Sequence, residues 1–246
     1  MHIQSSSKLA NHTLSVGRIV GLWRYPVKSM GAEALDNVDV SWFGLAGDRR
    51  WAFVRDEALH SDFPWLTIRE RNDMHLYMPT LTEPERPDKS PATITTPLGK
   101  IYAVTDPELG EELYPSGVHP IKQQRGIFDT FPISIITTQT IDALEKMVGM
   151  PLAVQRFRPN LLIELTDNEP FAEDAWVGRE LRIGDMKLRV DKRDQRCAII
   201  TVDPNTSNRQ PDILRAVVNE RQSCLGVYGT TVKPGSIALN DEAFIE

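Results

Sequence analysis

Apolar and polar residues in this chain mostly alternate with a period of two, the mark of half-buried strands. Residues 16–23, Val-Gly-Arg-Ile-Val-Gly-Leu-Trp, read as a first strand. Val38–Phe43 and Arg50–Val54 alternate or run apolar and read as two more, with Gly44, Gly47 and Asp48 supplying the turn between them. Residues 82–92 are rich in proline and charge, the composition of a surface loop. Short strands are expected near Ala92–Thr96 and Ile101–Val104, and residues 106–126 read as loop.

The pattern changes near Phe128. Pro132–Ile136 reads as a buried strand. A helix follows, capped by Thr138 or Thr140, with Ile141, Leu144, Met147 and Val148 on one face and Gly149 and Pro151 ending it. Strands are expected at Leu161–Leu165, Glu180–Ile183, Lys187–Val190 and Ala198–Val202. A second helix runs from Pro211 to about Arg221, with proline in its first turn. The chain closes on a strand at Gly226–Val232. Many short strands and about two helices predict a mainly β (α+β) fold built from β-barrels. The expected division is a polar tail at 1–15, an N-terminal domain at 16–127 and a second domain at 128–246.

Length and composition narrow the function. The 246 residues are 41% apolar and 25% charged, the balance of a globular protein with an ample core. No apolar run approaches the roughly 18 residues of a membrane span, and the first residues lack the apolar core of a signal peptide. The net charge of −6 argues against nucleic acid as a partner. Two cysteines make no disulfide framework, so a reducing cytoplasmic setting is expected. There is no G-x-G-x-x-G, no phosphate loop, no C-x-x-C and no H-x-x-x-H. Cys197 and Cys224 alone cannot hold a structural zinc or an iron–sulfur cluster.

The chemistry concentrates around Cys197, in Asp191-Lys-Arg-Asp-Gln-Arg-Cys-Ala-Ile-Ile-Thr-Val-Asp-Pro-Asn-Thr206. Lys192, Arg193 and Arg196 precede the thiol, and positive charge favours the thiolate that binds soft metals. A buried, unreactive cysteine is the alternative. Four other motifs stand out. Tyr25-Pro-Val-Lys-Ser29 presents Lys28 and Ser29 on a turn, a combination suited to phosphate. Gly47-Asp-Arg-Arg-Trp51 turns Arg49 or Arg50 inward, toward an anion or toward an internal Asp–Arg pair. In Arg156-Phe-Arg-Pro-Asn160 the proline predicts an extended Arg158, with Arg158 and Asn160 facing one ligand or capping a strand end. Trp65-Leu-Thr-Ile-Arg-Glu70 reads as a turn with an exposed Arg69–Glu70 pair.

In their order, Y-P-V-K-S, G-D-R-x-W, L-T-x-R, R-F-R-P-N and R-C-x-x-x-T-V-D-P-x-T resemble the MOSC superfamily. The resemblance runs from about Val16 to Gly235. It is to the branch that carries an N-terminal MOSC-associated β-barrel domain and includes the mitochondrial amidoxime-reducing component and its bacterial relatives. It implies an N-terminal β-barrel-like domain plus a MOSC β-barrel, with a molybdenum cofactor (molybdopterin) held in the cleft between them. Cys197 matches the metal ligand of that family. Lys28, Ser29, Arg49, Arg158 and Asn160 match positions that grip the pterin and its phosphate. Thr137 or Thr138 falls where a helix start approaches the cofactor, and Arg196 precedes the cysteine as in the family. Pyridoxal phosphate binding is a secondary expectation.

The activity so implied is reduction of a small N-hydroxylated or related N–O substrate. Its electrons would come from a separate flavin or iron–sulfur protein, since this chain has neither centre. The alternatives are a sulfur or cofactor carrier using Cys197 without redox turnover, and a non-catalytic binder. Three features depart from the family pattern. Ser207 replaces the glycine after D-P-x-T, Leu239-Asn240-Asp241 replaces Val-Gly-Asp, and Gly31 sits one place early.

Overall fold

The computed structural model describes residues 14–246; residues 1–13, most of the expected tail, lie outside the described residues. The first half holds β1 (Leu14–Arg24), β2 (Glu33–Ala34), β3 (Asn37–Ser41), β4 (Gly44–Leu45) and β5 (Trp51–Arg55). It continues with β6 (Met78–Leu81), β7 (Ala92–Thr95), β8 (Ile101–Ala103), α1 (Pro107–Leu113) and β9 (Val118–Lys122). The second half holds β10 (Ile133–Thr137), α2 (Thr138–Val148), β11 (Leu161–Leu165), β12 (Glu180–Ile183) and β13 (Met186–Gln195). Then come α3 (Pro211–Arg221), β14 (Cys224–Lys233), β15 (Gly235–Ala238) and β16 (Glu242–Ile245).

The mainly β architecture agrees with the alternation of the sequence. The large sheet runs β11-β10-β14-β13-β12-β16-β1-β2, and pairing of β1 with β11 closes seven of these strands into a barrel. Its interior is filled by alternate residues of each strand, among them Ile19, Leu22, Ile133, Ile163, Leu181, Leu188, Val227 and Ile245. Thus β1 completes a barrel made chiefly of second-half strands, lying between β11 and β16. A second core gathers Val27, Phe53, Leu66, Tyr77, Ile94 and Leu109 under β5–β9 and the small β6-β7-β8 sheet. A third packs α2 and α3 over Ile136, Phe157, Ile200 and Leu225.

Several local expectations change. Residues 106–126 are not loop throughout: Asp106 caps α1 by accepting from the Glu108 N–H at 2.9 Å, Pro107 opens it, and β9 pairs with β5. The described residues therefore hold three α-helices, two of them in the second half. β1 starts at Leu14, inside the stretch expected as tail. Ala198–Val202 is not a strand. Ala198–Thr201 winds into a 3-10 turn, the Thr201 hydroxyl donates to the Ala198 carbonyl at 2.7 Å, and Arg156 donates to the Ile200 carbonyl at 3.1 Å. Its β-branched residues reflect burial against the helices, which outweighs strand propensity. No helix among the described residues is long and apolar enough to cross a membrane.

Candidate functional site

A cavity of about 190 Å³ opens between the two halves. Its wall brings together Lys28, Ser29, Arg49, Arg158, Asn160, Arg196 and Cys197, residues spread over about two thirds of the chain. Three of them, Ser29, Arg49 and Arg158, sit in the left-handed region at φ of 67°, 49° and 52°. That conformation is uncommon outside glycine and costs about 1 kcal/mol or more at each residue. The expected extended Arg158 is thereby corrected. Proline disfavours right-handed helical geometry before it, and Arg158 instead takes the left-handed form that ends the 3-10 turn Val154–Phe157.

Tyr25 is the platform of the site. Its ring is buried, its hydroxyl donates to the Pro159 carbonyl at 3.0 Å, and Arg158 and Arg49 stack on it at 4.2 and 4.6 Å. Burial pushes its phenol up to about 12, so it stays neutral between the two cations. Beneath it, Asp48 accepts from the Tyr25 N–H at 2.7 Å, from Arg49 at 2.5 Å and from Asn160 at 3.1 Å. The internal Asp–Arg pairing expected of G-D-R-R is present. Arg49 lines the cavity while paired to Asp48, and Arg50 is buried against Asp88. The Asn160 amide is fully engaged. It donates to Trp23 and Asp48 and accepts from Ser134 and Arg49, so it positions Arg49 and ties strand starts together.

The cavity is cationic. Lys28, Arg49, Arg69, Arg156, Arg158 and Arg196 line it against two carboxylates, Asp129 and Asp194. Burial holds the Lys28 ammonium below its ordinary value, although its bond to Asp129 opposes this, and it also donates to the Ile127 carbonyl at 3.0 Å. Arg158 donates to the Met30 carbonyl at 2.8 Å, and burial pulls it down to about 10. Three guanidinium nitrogens of the lining, Nε of Arg156 and Nη2 of Arg158 and of Arg196, are buried without a partner. Buried donors are normally satisfied, so these three are free to meet an acceptor. Arg196 is otherwise held by Asp194 at 3.0 Å and by the Leu225 and Phe157 carbonyls at 2.8 Å.

Cys197 lies at the cavity wall, half-buried, with an extended backbone. Its cation is not from the run before it. Arg193 turns away to Asp174 at 3.1 Å, and Lys192 lies over the Phe131 ring. Instead Arg69 reaches from the other half, with Nη2 3.4 Å from the sulfur and 3.7 Å from Asp129. The expected Arg69–Glu70 pair is corrected: Glu70 accepts from the Thr67 N–H and hydroxyl, which frees Arg69 for the site. The order of motifs, with L-T-x-R among them, was the signal available for Arg69. Asp129, Phe131 and Tyr228 also line the cavity and carry no local motif, and Asp194 lines it from within the run before Cys197.

Thr137 and Thr138 do not line it. Thr137 is fully buried, caps α2 through the Thr140 N–H at 3.2 Å and donates to Glu173, while Thr138 bonds Gln139. Cys224 also lies outside the cavity lining, on β14 opposite Gln195.

A closed barrel with an N-terminal β unit, and a cationic cleft holding one thiol, define a class that the sequence comparisons bear out. Residues 16–100 match the MOSC N-terminal beta barrel domain and residues 122–243 match the MOSC domain, so the chain belongs to the MOSC family. It is 26% identical to human mitochondrial amidoxime-reducing component 1 over 94% of this chain and 83% of that protein. It is 23% identical to human mitochondrial amidoxime reducing component 2 over 93% and 83%. Similarity to a molybdenum cofactor sulfurase of Caenorhabditis briggsae is 23% over 85% of this chain but 33% of that protein. In fold, the chain is similar to the YUAD protein from Bacillus subtilis, with a TM-score of 0.52 at 14% identity over 95% and 96% of the two chains.

Proposed function

We propose that this protein is a molybdenum-cofactor-dependent reductase of small N-hydroxylated or related N–O compounds, supplied with electrons by a separate protein. The observation that carries the reading is the meeting of one thiol with three unpartnered guanidinium nitrogens in a single cavity. A soft sulfur ligand suits molybdenum, and the orphan donors suit an anionic phosphate. No cluster of three or more His, Cys, Asp or Glu among the described residues could hold a metal ion, so a cofactor that brings its own donor atoms fits the single cysteine. Cys197 would ligate the metal. Arg158, Arg196, Arg49 and Lys28 would hold the pterin and its phosphate, with Ser29 beside them. Bound there, the cofactor supplies two-electron oxygen-atom chemistry. The chain supplies charge neutralisation, orientation on the Tyr25 platform and partial exclusion of water. Lys28 Nζ is bonded to Ile127 and Asp129 and offers a cation rather than a free amine for a Schiff base, so the proposal does not extend to pyridoxal phosphate.

The balance is R–NHOH + 2 H⁺ + 2 e⁻ → R–NH₂ + H₂O. The names of the relatives support the substrate class and the need for a partner. Metal analysis of protein made in a molybdenum-replete host, with turnover of a small amidoxime by reduced viologen, tests the reading. One molybdenum per chain and turnover are expected. A carrier role is the second reading, favoured by a half-buried thiol that faces the cavity. Labile sulfane sulfur on Cys197 without molybdenum or turnover would establish it instead.

A further inference from the structure

Near the cavity wall lies a pair of exposed aromatic residues that the site itself does not use. Trp42 and Phe43, in the turn between β3 and β4, are 62% and 41% exposed, although large apolar side chains usually lie inside. The next residue, Gly44, has φ +87° and lies so close to Pro132 that a Cβ there would meet it at 2.9 Å. Phe131 precedes Pro132, lines the cavity and stands 6.1 Å from Tyr228 of the same wall. Trp42 and Phe43 thus stand next to a residue, Gly44, that packs on Pro132, the neighbour of Phe131 in the cavity wall.

Its charge is distinct from that of the chain. Arg125 is exposed and lies 5.4 Å from the Phe43 ring centre, and Lys192 is exposed and lies 5.6 Å from that of Phe131. Neither has a carboxylate partner among the described residues, while most other cations are paired. Asp129, a carboxylate of the cavity lining, is held by Lys28 and Arg69. An aromatic centre flanked by unpaired cations is complementary to an acidic partner surface.

We propose that Trp42, Phe43, Arg125, Phe131 and Lys192 form the docking surface for a small acidic one-electron carrier protein. The proposal rests on the reductase reading, which requires two electrons for each N–O bond cleaved. Two reduced carriers would each give up one electron here and leave oxidised, with both protons drawn from solvent. Aromatic residues at the centre of an interface supply most of the affinity, and the flanking cations steer the approach.

An acidic plant-type [2Fe–2S] ferredoxin is a direct probe. Binding to the full chain should weaken as salt rises, because exposed charges are screened. The double variant Arg125→Glu, Lys192→Glu should weaken it about tenfold or more by placing like charges across the interface. Trp42→Ser with Phe43→Ser should do the same without changing the salt dependence. Viologen-driven turnover should be unaffected in both, since none of the four residues lies in the cofactor-holding set. Unchanged affinity in the two double variants, or no ferredoxin binding to the unaltered protein at low salt, would overturn the surface. So would self-association, or adhesion to anionic phosphatidylserine vesicles, that the Trp42 and Phe43 changes abolish. Patch-dependent ferredoxin binding together with absent viologen turnover would leave the surface standing and sink the reductase reading alone.

Discussion

Arg158→Ala separates anion binding from folding. In the folded chain the guanidinium stacks on Tyr25, donates once to the Met30 carbonyl and leaves Nη2 unpartnered. Burial lowers it from 12.5 to about 10, which corresponds to about 3 kcal/mol against the charged form. The side chain is half-buried and faces an open cavity, so solvent screening reduces this to about 1–2 kcal/mol. Because the folded value lies below the unfolded one, that cost is fully present at neutral pH and is relieved only as pH rises past the folded value. Truncation removes the cost but also the Met30 bond, worth about 1.5–3 kcal/mol when the donor is charged. The two nearly cancel, and stability without cofactor should fall by only about 1 kcal/mol in urea titrations at pH 7. Anion binding has no such compensation. Losing a charge-assisted contact of about 1.5–3 kcal/mol lowers affinity roughly ten- to hundredfold. Molybdenum content under limiting cofactor, read beside the urea curves, makes the comparison. Full molybdenum with normal release rates, or a stability loss well beyond 3 kcal/mol (about the largest value of the lost bond), would refute the reasoning.

Three further outcomes are expected. Cys197→Ser should abolish viologen-driven turnover while Cys224→Ser retains it, and equal loss in the two would overturn the sulfur assignment. Burial pushes the Glu173 carboxyl above its ordinary value, against the opposing Thr140 and Thr137 hydroxyls. The folded chain then holds a proton the unfolded chain has released, so stability falls as pH rises through that window. Glu173→Gln should remove this slope in urea midpoints taken across the acid range, and a slope identical to the unaltered protein's would contradict it. Arg156, buried between Asp203, Gln210 and the Ile200 carbonyl, holds the 3-10 turn after Cys197, and Arg156→Ala should cost about 3 kcal/mol of stability. A loss under about 1 kcal/mol would show that the turn stands without it.

Much of this was legible from local pattern. The strands of the barrel alternate cleanly because one face is buried, and α2 and α3 announce themselves through Gly149, Pro211 and their apolar stripes. The residues around the cavity were legible as motifs because strained turns restrict what can occupy them, as at Ser29, Arg49 and Arg158. What failed was direction and pairing. Ala198–Thr201 carries strand-like composition but is turned by bonds from Arg156 and Thr201, both of which depend on tertiary placement. Arg69 looked like half of an exposed pair because its true neighbour, Cys197, is 128 positions away. Thr137 and Thr138 sit at a helix start, as expected, yet that helix start is sealed by Glu173 and turned away from the cavity.

The pairing of Leu14 with Ile245 has a temporal consequence. Strand β1 and its partner β16 are the most widely separated elements among the described residues, so the contact that closes the barrel is slow to form. The first-half core under β5–β9 can form earlier, because its contacts are nearer in sequence. Until β16 arrives, β1 has one open edge, a template for mispairing in a folding chain. The cavity, whose wall spans Lys28 to Tyr228, is then assembled only when both halves have folded. Any group it holds must be inserted once both halves are in place, which ties the yield of loaded molecules to the closing of a single seam.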